Sequence, residues 1–206
     1  MRLAILGASG HGKVVADIAE MVGWEEVCFF DDAWPELEMN GPWNVNGDSQ
    51  SLLETLNDFD GIIVSIGNNQ IRAKKQGELA AAGANLITLI HPSAVISAHA
   101  SIGLGSVVFA NSVVNACALV GAGVIINSGA VVEHDCAIGD FAHVSPCAVI
   151  AGGATIGVQA WIGANAAVKQ LISVGDASIV GMGAVVTKNV GADVTVLGIP
   201  AKVSSR

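Results

Sequence analysis

From Ile90 to Val186 an aliphatic residue stands at every sixth position without a break, through Ile96, Ile102, Val108, Val114, Val120, Ile126, Val132 and onward. Helices bring a face back every 3.6 residues and strands every second one, so neither alone accommodates this period. A sustained hexad instead predicts a parallel β-helix, in which successive short strands stack into coils. The fourth residue after each aliphatic is almost always small, as at Ala118, Ala130, Cys136, Ala142, Ala148, Ala154, Ala160 and Ala166, with Val124 and Ile172 as the departures. Glycine often follows the aliphatic directly, as at Gly103, Gly121, Gly139, Gly157, Gly163, Gly175 and Gly181. The expectation is that large side chains fill the axis, small ones sit where the chain turns, and glycine adopts the corner dihedrals.

Before the hexads the pattern changes. Leu3 to Leu6 reads as a buried strand, Gly7-Ala8-Ser9-Gly10-His11-Gly12 as a glycine loop, and Lys13 to Val22 as a helix. Val27 to Phe30 is a second strand ending in Asp31-Asp32. Gly61 to Ile66 is a third, followed by Gly67-Asn68-Asn69, a helix over Ile71 to Ala82 and a strand over Asn85 to Leu89. This alternation predicts a small Rossmann-like α/β domain with its ligand loops at the carboxyl ends of the strands. The boundaries expected are 1–88 for this domain and 89–206 for the repeat. The glycines fall as GxxGxG and not as the dinucleotide pattern GxGxxG. Asp31, about twenty residues on, sits where an acid can accept a ribose hydroxyl, so a nicotinamide cofactor is a lesser alternative.

Charge narrows the partners. The net charge is −9, which argues against nucleic acid and anionic membrane surfaces. The first 89 residues hold thirteen acids and five bases, the remainder five acids and four bases, so the repeat surface is nearly uncharged and suits packing against copies of itself. Its bases, Lys169, Lys188, Lys202 and Arg206, can meet a phosphate. No apolar run is long enough to span a bilayer and no signal peptide is evident. Cys28, Cys117, Cys136 and Cys147 show no CxxC pairing, so all four are expected as reduced packing residues, which points to the cytoplasm.

Within the repeat, polar side chains break the register most sharply at Asn127, Glu133-His134-Asp135 and His143. If three hexads make one coil, residues eighteen apart stack, placing Gly152 on His134 and Gly153 on Asp135. An imidazole beside two residues without side chains is open to a ligand, and a neighbouring carboxylate raises its basicity. Those are the needs of a general base.

The hexads, the closing Gly198-Ile199-Pro200-Ala201-Lys202, the Gly-Ala-Ser-Gly-His-Gly-Lys loop, the Asp31-Asp32 pair and the Val132-Glu133-His134-Asp135-Cys136 segment together resemble the hexapeptide acyltransferases over nearly the whole chain. Within them the resemblance is to sugar acyltransferases related to sialic-acid O-acetyltransferase and the bacillosamine-pathway N-acetyltransferase. It implies a left-handed three-sided β-helix and a homotrimer with sites between subunits. By the same resemblance His134 is the base, Asp135 its partner and Asn127 a supporting polar residue. His143, Gly152 and Ala164 would line the acetyl-CoA path, while Ser9, Gly10 and His11 would lie by the diphosphate and sugar, Asp31 and Asp32 by uracil and ribose, and Gly67 near the nucleotide. The activity implied is acetyl-CoA-dependent N-acetylation of the 4-amino group of a UDP-4-amino-4,6-dideoxy sugar, by direct attack and without a metal. Sugar O-acetylation is the nearest alternative and a non-catalytic scaffold the alternative of another class. Lys169-Gln170 departs from the Pro-Gly that relatives often carry. The γ-class carbonic anhydrases bind zinc on the same helix, but the spacing of His91, His99, His134 and His143 does not resemble theirs.

Overall fold

The computed structural model describes residues 1–204; Arg206, one of the bases singled out above, lies outside them. The chain divides into two compact units, Met1–Pro92 and the residues from Ser93 on.

In the first unit, β1 (Arg2–Leu6), β2 (Glu26–Phe30) and β5 (Gly61–Val64) form a parallel sheet in the order β2-β1-β5. Helices α1 (Gly10–Met21), α2 (Ser49–Glu54) and α3 (Asn69–Ala81) accompany it, and β3 (Met39–Asn40) pairs antiparallel with β4 (Trp43–Asn44). Continuous apolar strands such as Leu3-Ala4-Ile5-Leu6 are what a parallel sheet covered on both faces requires. Ala4, Leu6, Cys28, Phe30, Ile62 and Val64 pack with Leu52 and Leu79 as one cluster.

Three expectations are corrected. Helix α1 begins at Gly10, so Gly10, His11 and Gly12 form its first turn and not a loop. A β-carbon on Gly12 would stand 2.5 Å from the Gly7 carbonyl oxygen and 2.9 Å from the Phe29 ring, so this glycine lets helix and strand approach. The strand read over Asn85 to Leu89 is reduced to a single bridge between Ile62 and Leu86, with a short strand at Leu89–Ile90; β5 stops at Val64, two residues early. The Met39–Asn44 hairpin and α2 carry no strong periodicity and were not read from the sequence.

The second unit is a three-sided parallel β-helix. Its first face stacks Val95–Ile96, Val113–Val114, Val131–Val132, Val149–Ile150, Ala167–Val168 and Val185–Val186. The second stacks Ser101–Ile102, Leu119–Val120, Ala137–Ile138, Thr155–Ile156 and Ser173–Val174. The third includes Val107–Val108, Ile125–Ile126, His143–Val144, Trp161–Ile162 and Ile179–Val180, and ends in Thr195–Leu197 with the antiparallel Lys202–Val203. Partners are eighteen residues apart, as in Val131 with Val149 and His143 with Trp161, until the final coil, where Val180 pairs with Val196.

The aliphatic and small columns both face the axis: Val144, Ile150 and Ile162 are fully buried, and so are Ala142, Ala148 and Ala160. Each such aliphatic side chain contributes about 1.5–3 kcal/mol by leaving water. The expected reasons for smallness and for glycine need correcting. The small residue follows the turn and points inward. The residue before it takes the left-handed conformation, and it is mostly not glycine: Asn111, Cys117, Asp135, Phe141, Cys147, Gln159, Asn165, Leu171 and Ala177 all have φ between 52° and 62°. The glycines directly after the aliphatics are needed for close approach. A β-carbon on Gly139 would meet the Val158 nitrogen of the next coil at 2.6 Å, and one on Gly121 would meet the Asp140 nitrogen at 2.8 Å. Asp140 and Asp176 sit at that corner and accept the Ala122 and Val158 N–H groups, each at 2.8 Å.

All four cysteines are free thiols. Cys28 and Cys136 are buried packing residues whose thiols burial pushes up in pKa. Cys117 and Cys147 are exposed at turns, contrary to the packing role expected of them. Among the described residues no helix is long and apolar enough to cross a membrane, and no group of three or more His, Cys, Asp or Glu is placed to hold a metal ion.

Candidate active site

At the corner after the first face, Val132 turns inward and Glu133-His134-Asp135 projects outward. His134 Nδ1 lies 2.7 Å from Asp135 Oδ2. Asp135 reaches back to its neighbour's ring from a left-handed backbone, φ 60°, a conformation that Asp tolerates better than most residues. The hydrogen bond to Asp135 raises the pKa of His134; desolvation opposes it, and the charges of Asp135 and Glu133 add to the rise. Glu133 Oε2 accepts from Asn115 Nδ2 at 2.9 Å one coil below. One coil above, a β-carbon on Gly152 would stand 2.7 Å from His134 Cε1 and Nε2, so the ring occupies the space that the glycine leaves. The expected stacking of Gly152 on His134 is thus present, and Gly153 N–H donates to the His134 carbonyl at 2.9 Å.

Asn127 is not beside His134. It lies at the corner after the third face, where its Nδ2 is 3.1 Å from His143 Nε2 and its Oδ1 accepts the Ser128 N–H at 2.9 Å. His143 is 8% exposed and stacks on Trp161, with ring centroids 5.4 Å apart and an interplanar angle of 15°. Trp161 Nε1 donates to Ser145 Oγ at 2.8 Å. His143, Ser145 and Trp161, with Ala164, Gly163, Gly181 and Met182, line an apolar cavity of about 410 Å³. One protomer therefore carries two clusters on two corners: His134, Asp135 and Gly152 on one, Asn127, His143 and Ala164 on the other. Trp161 and Ser145 were missed from the sequence; an outward tryptophan on a coil strand was the available signal.

In the first unit the two acids behave differently. Asp31 is engaged at both oxygens, accepting from Ala8 N–H at 2.7 Å and Ala33 N–H at 3.0 Å, so it ties the glycine turn to the end of β2. Asp32 accepts from Ser49 N–H at 3.0 Å and from Lys75 Nζ at 2.7 Å, and Lys75 also donates to Ser49 Oγ at 2.7 Å. Partial burial alone would raise the Asp32 pKa, but the Lys75 and Ser49 hydrogen bonds together outweigh it and lower it to about 2. Asp31, Asp32, Ser49 and Lys75 border a hollow of about 90 Å³ with Gly7 and Ile71. Lys75 and Ser49 were not foreseen, since only the fold brings α2 and α3 to the strand ends.

Ser9 caps α1 without a side-chain hydrogen bond, and Gly10 follows it at the exposed helix start, where backbone N–H groups favour an anion. His11 is half-buried; burial, then the nearby Arg72 cation, lowers its pKa to about 4, so the ring is neutral at pH 7. Arg72 is buried and donates to the carbonyls of Ile66 at 2.8 Å and Gly67 at 3.2 Å, holding the Gly67 turn, while burial lowers its own pKa to about 10.

Residues 2–79 match the family model described as the PglD N-terminal domain. A curated UDP-N-acetylbacillosamine N-acetyltransferase of Bacillus subtilis (strain 168) is 35% identical over 109 residues, 52% of this chain and 50% of that protein, so the match spans about half the curated relative's length. Among solved structures, the acetyltransferase domain of PglB from Neisseria gonorrhoeae FA1090 is 41% identical, with 98% of this chain and 99% of that one covered and a TM-score of 0.93. The same domain is known in complex with acetyl coenzyme A. A mutant perosamine N-acetyltransferase from Caulobacter crescentus, in complex with CoA and GDP-perosamine, is 33% identical over 100% of this chain and 98% of that one, at a TM-score of 0.95. With its α/β unit, its coils and its full-length likeness to these enzymes, the chain belongs to the hexapeptide-repeat family of sugar N-acetyltransferases.

Proposed function

We propose that this protein transfers the acetyl group of acetyl-CoA to the 4-amino group of a UDP-linked 4-amino-4,6-dideoxy sugar for surface glycan or glycoprotein synthesis. The observation that carries the reading is His134, its Nδ1 held by Asp135 at 2.7 Å and its ring seated against Gly152. A carboxylate only accepts, so Nδ1 carries the proton and Nε2 presents its lone pair. The neutral amine attacks the thioester carbonyl and His134 Nε2 takes the proton it sheds. The C–N bond forms, the C–S bond breaks, and the proton returns to the departing thiolate. Backbone N–H groups stabilise the oxyanion, and no acyl-enzyme or metal takes part.

The first unit would hold the nucleotide through the start of α1 at Ser9, Gly10 and His11, through Asp32, and near Gly67, with Asp31 supporting the glycine turn. His143, Gly152 and Ala164 would border the path of acetyl-CoA. A homotrimer is part of this reading, and what supports it is that the outward side chains of the first face, Val95, Val113, Val131, Val149, Ala167 and Val185, form an aliphatic stripe between the two corners. A neighbouring copy against that stripe brings the His143 corner of one protomer toward the His134 corner of another. The reading includes a cytoplasmic location.

The test is thiol release from acetyl-CoA across UDP-amino sugars, their hydroxyl counterparts and sialic acid. Release with a UDP-4-amino sugar, lowered roughly 10²–10⁴-fold by His134→Ala, is expected. Release with hydroxyl acceptors alone would move the assignment to O-acetylation, and full activity of the variant would remove His134 from the chemistry.

A further inference from the structure

Two histidines stand in the proposed transfer site, and their hydrogen bonds differ in a way that fixes what each can do. Asn127 Oδ1 accepts the Ser128 backbone N–H at 2.9 Å. A backbone N–H can only donate, so the amide cannot be turned round, and its Nδ2 faces His143 Nε2 at 3.1 Å. Nδ2 also only donates. His143 Nε2 must therefore accept with the single lone pair of a neutral imidazole, whose proton is then on Nδ1. At His134 the fixed partner is on the other nitrogen, and Nε2 keeps its lone pair beside Gly152.

From this geometry we infer that Asn127 locks His143 as a neutral ring with its lone pair already used, so that His143 shapes the acetyl-transfer cavity without accepting a proton. Trp161, held by Ser145, fixes the plane of that ring. Protonation would set an Nε2–H against the Asn127 Nδ2–H, donor to donor, inside a site where His143 is 8% exposed. Stacking on the indole favours a cation, and more so at a desolvated ring than at an exposed one. Against it stand the lost Asn127 hydrogen bond and the burial of a charge set donor to donor, and the cost of burying a charge is the larger effect, so the balance favours the neutral form. Ile125 from the neighbouring strand, Asn127, Ser145 and Trp161 carry no charge, nor does the rest of the cavity lining; in the proposed homotrimer the Glu133-His134-Asp135 corner of a neighbouring copy is the charged group brought toward the ring. Within one protomer Asn127 is thus a positioning residue for His143. Trp161 and Ser145 join it in that role.

The inference rests on placing His143 in the transfer site, but its test does not depend on turnover. Nitrogen-15 NMR of the full-length protein labelled at histidine, with His143 assigned by the signal lost in His143→Gln, should show the neutral Nδ1–H form unchanged from about pH 6 to pH 8, the range in which an unconstrained imidazole titrates. Asn127→Asp, which offers Nε2 an acceptor, should bring a second proton onto the ring, add an ionisation to the pH–rate profile, and lower kcat about fivefold to tenfold, the equivalent of one lost hydrogen bond. Trp161→Leu should keep the Nδ1–H form while broadening the ring signals. A wild-type His143 that is protonated at Nε2, or that titrates in this range, overturns the inference. So does an Asn127→Asp protein whose His143 signals match the wild type. A clean NMR result with no acetyl transfer to any sugar would instead count against the function proposed above.

Discussion

Gly152 sits one coil above His134, and the ring fills the volume where a β-carbon of residue 152 would lie, 2.7 Å from both Cε1 and Nε2. No non-glycine residue fits there without moving the imidazole. Gly152→Ala should therefore displace the ring from Asp135 and lower kcat by about tenfold or more, while the fold is kept because φ at this position is not in the left-handed region. Steady-state kinetics with a circular dichroism melt check it; wild-type kcat would mean that the ring need not occupy this space.

The pH dependence follows from the raised pKa of His134. A base works only when deprotonated, so activity should fall on the acid side as pH drops through that raised value. Asp135→Asn removes the hydrogen bond that is the first cause of the rise, so the acidic limb should move to lower pH while the maximum rate also drops. A limb that stays in place or moves upward would contradict the pairing.

Asp32 provides a second, separate pH effect. Its folded pKa of about 2 is below its ordinary 3.8, so the stability that it contributes is present above about pH 4 and is lost as pH falls toward 2. Asp32→Ala and Lys75→Met should both raise KM for the nucleotide sugar several-fold and leave KM for acetyl-CoA near its wild-type value. Matching increases for both substrates would refute the division of labour between the units.

For stability, Gly139→Ala is the informative change. Its β-carbon would meet the Val158 backbone nitrogen at 2.6 Å, and backbone cannot swing aside as a side chain can. A loss of about 1–3 kcal/mol is expected from denaturant unfolding. Gly183→Ala, which meets nothing within 4 Å but has φ at +67°, should cost less, about 1 kcal/mol. The reverse order would show that corner dihedrals, and not close approach, explain the glycine column.

A homotrimer in solution is the final expectation, measured by light scattering, with Val131→Lys on the aliphatic stripe weakening it. A fully active monomer would rule out a site shared between copies.

The hexads by themselves determined the coil. An inward side chain every six residues can be buried only by stacking short strands, so Ile126, Val132, Ile138, Val144 and Ile150 specify the axis before any coordinate is known. Stacking at eighteen residues is then arithmetic, and it was enough to set Gly152 over His134. The Leu3–Leu6 strand, the glycine turn and the acids after β2 were legible because a short apolar run, glycine punctuation and a terminal acid each report local backbone. What tertiary structure alone decided is which partner each polar group takes. Asn127 is seven residues from His134 and sixteen from His143, yet it bonds His143, because His143 stands on the third-face strand of the next coil, just before the level of the corner that Asn127 occupies, while residues seven apart are carried onto different corners. Lys75 reaches Asp32 across 43 residues because α3 packs back to the strand ends. The reason is common to both: hydrophobic period fixes which way a backbone turns, whereas a hydrogen bond is chosen at about 3 Å, a scale set only when distant segments have packed.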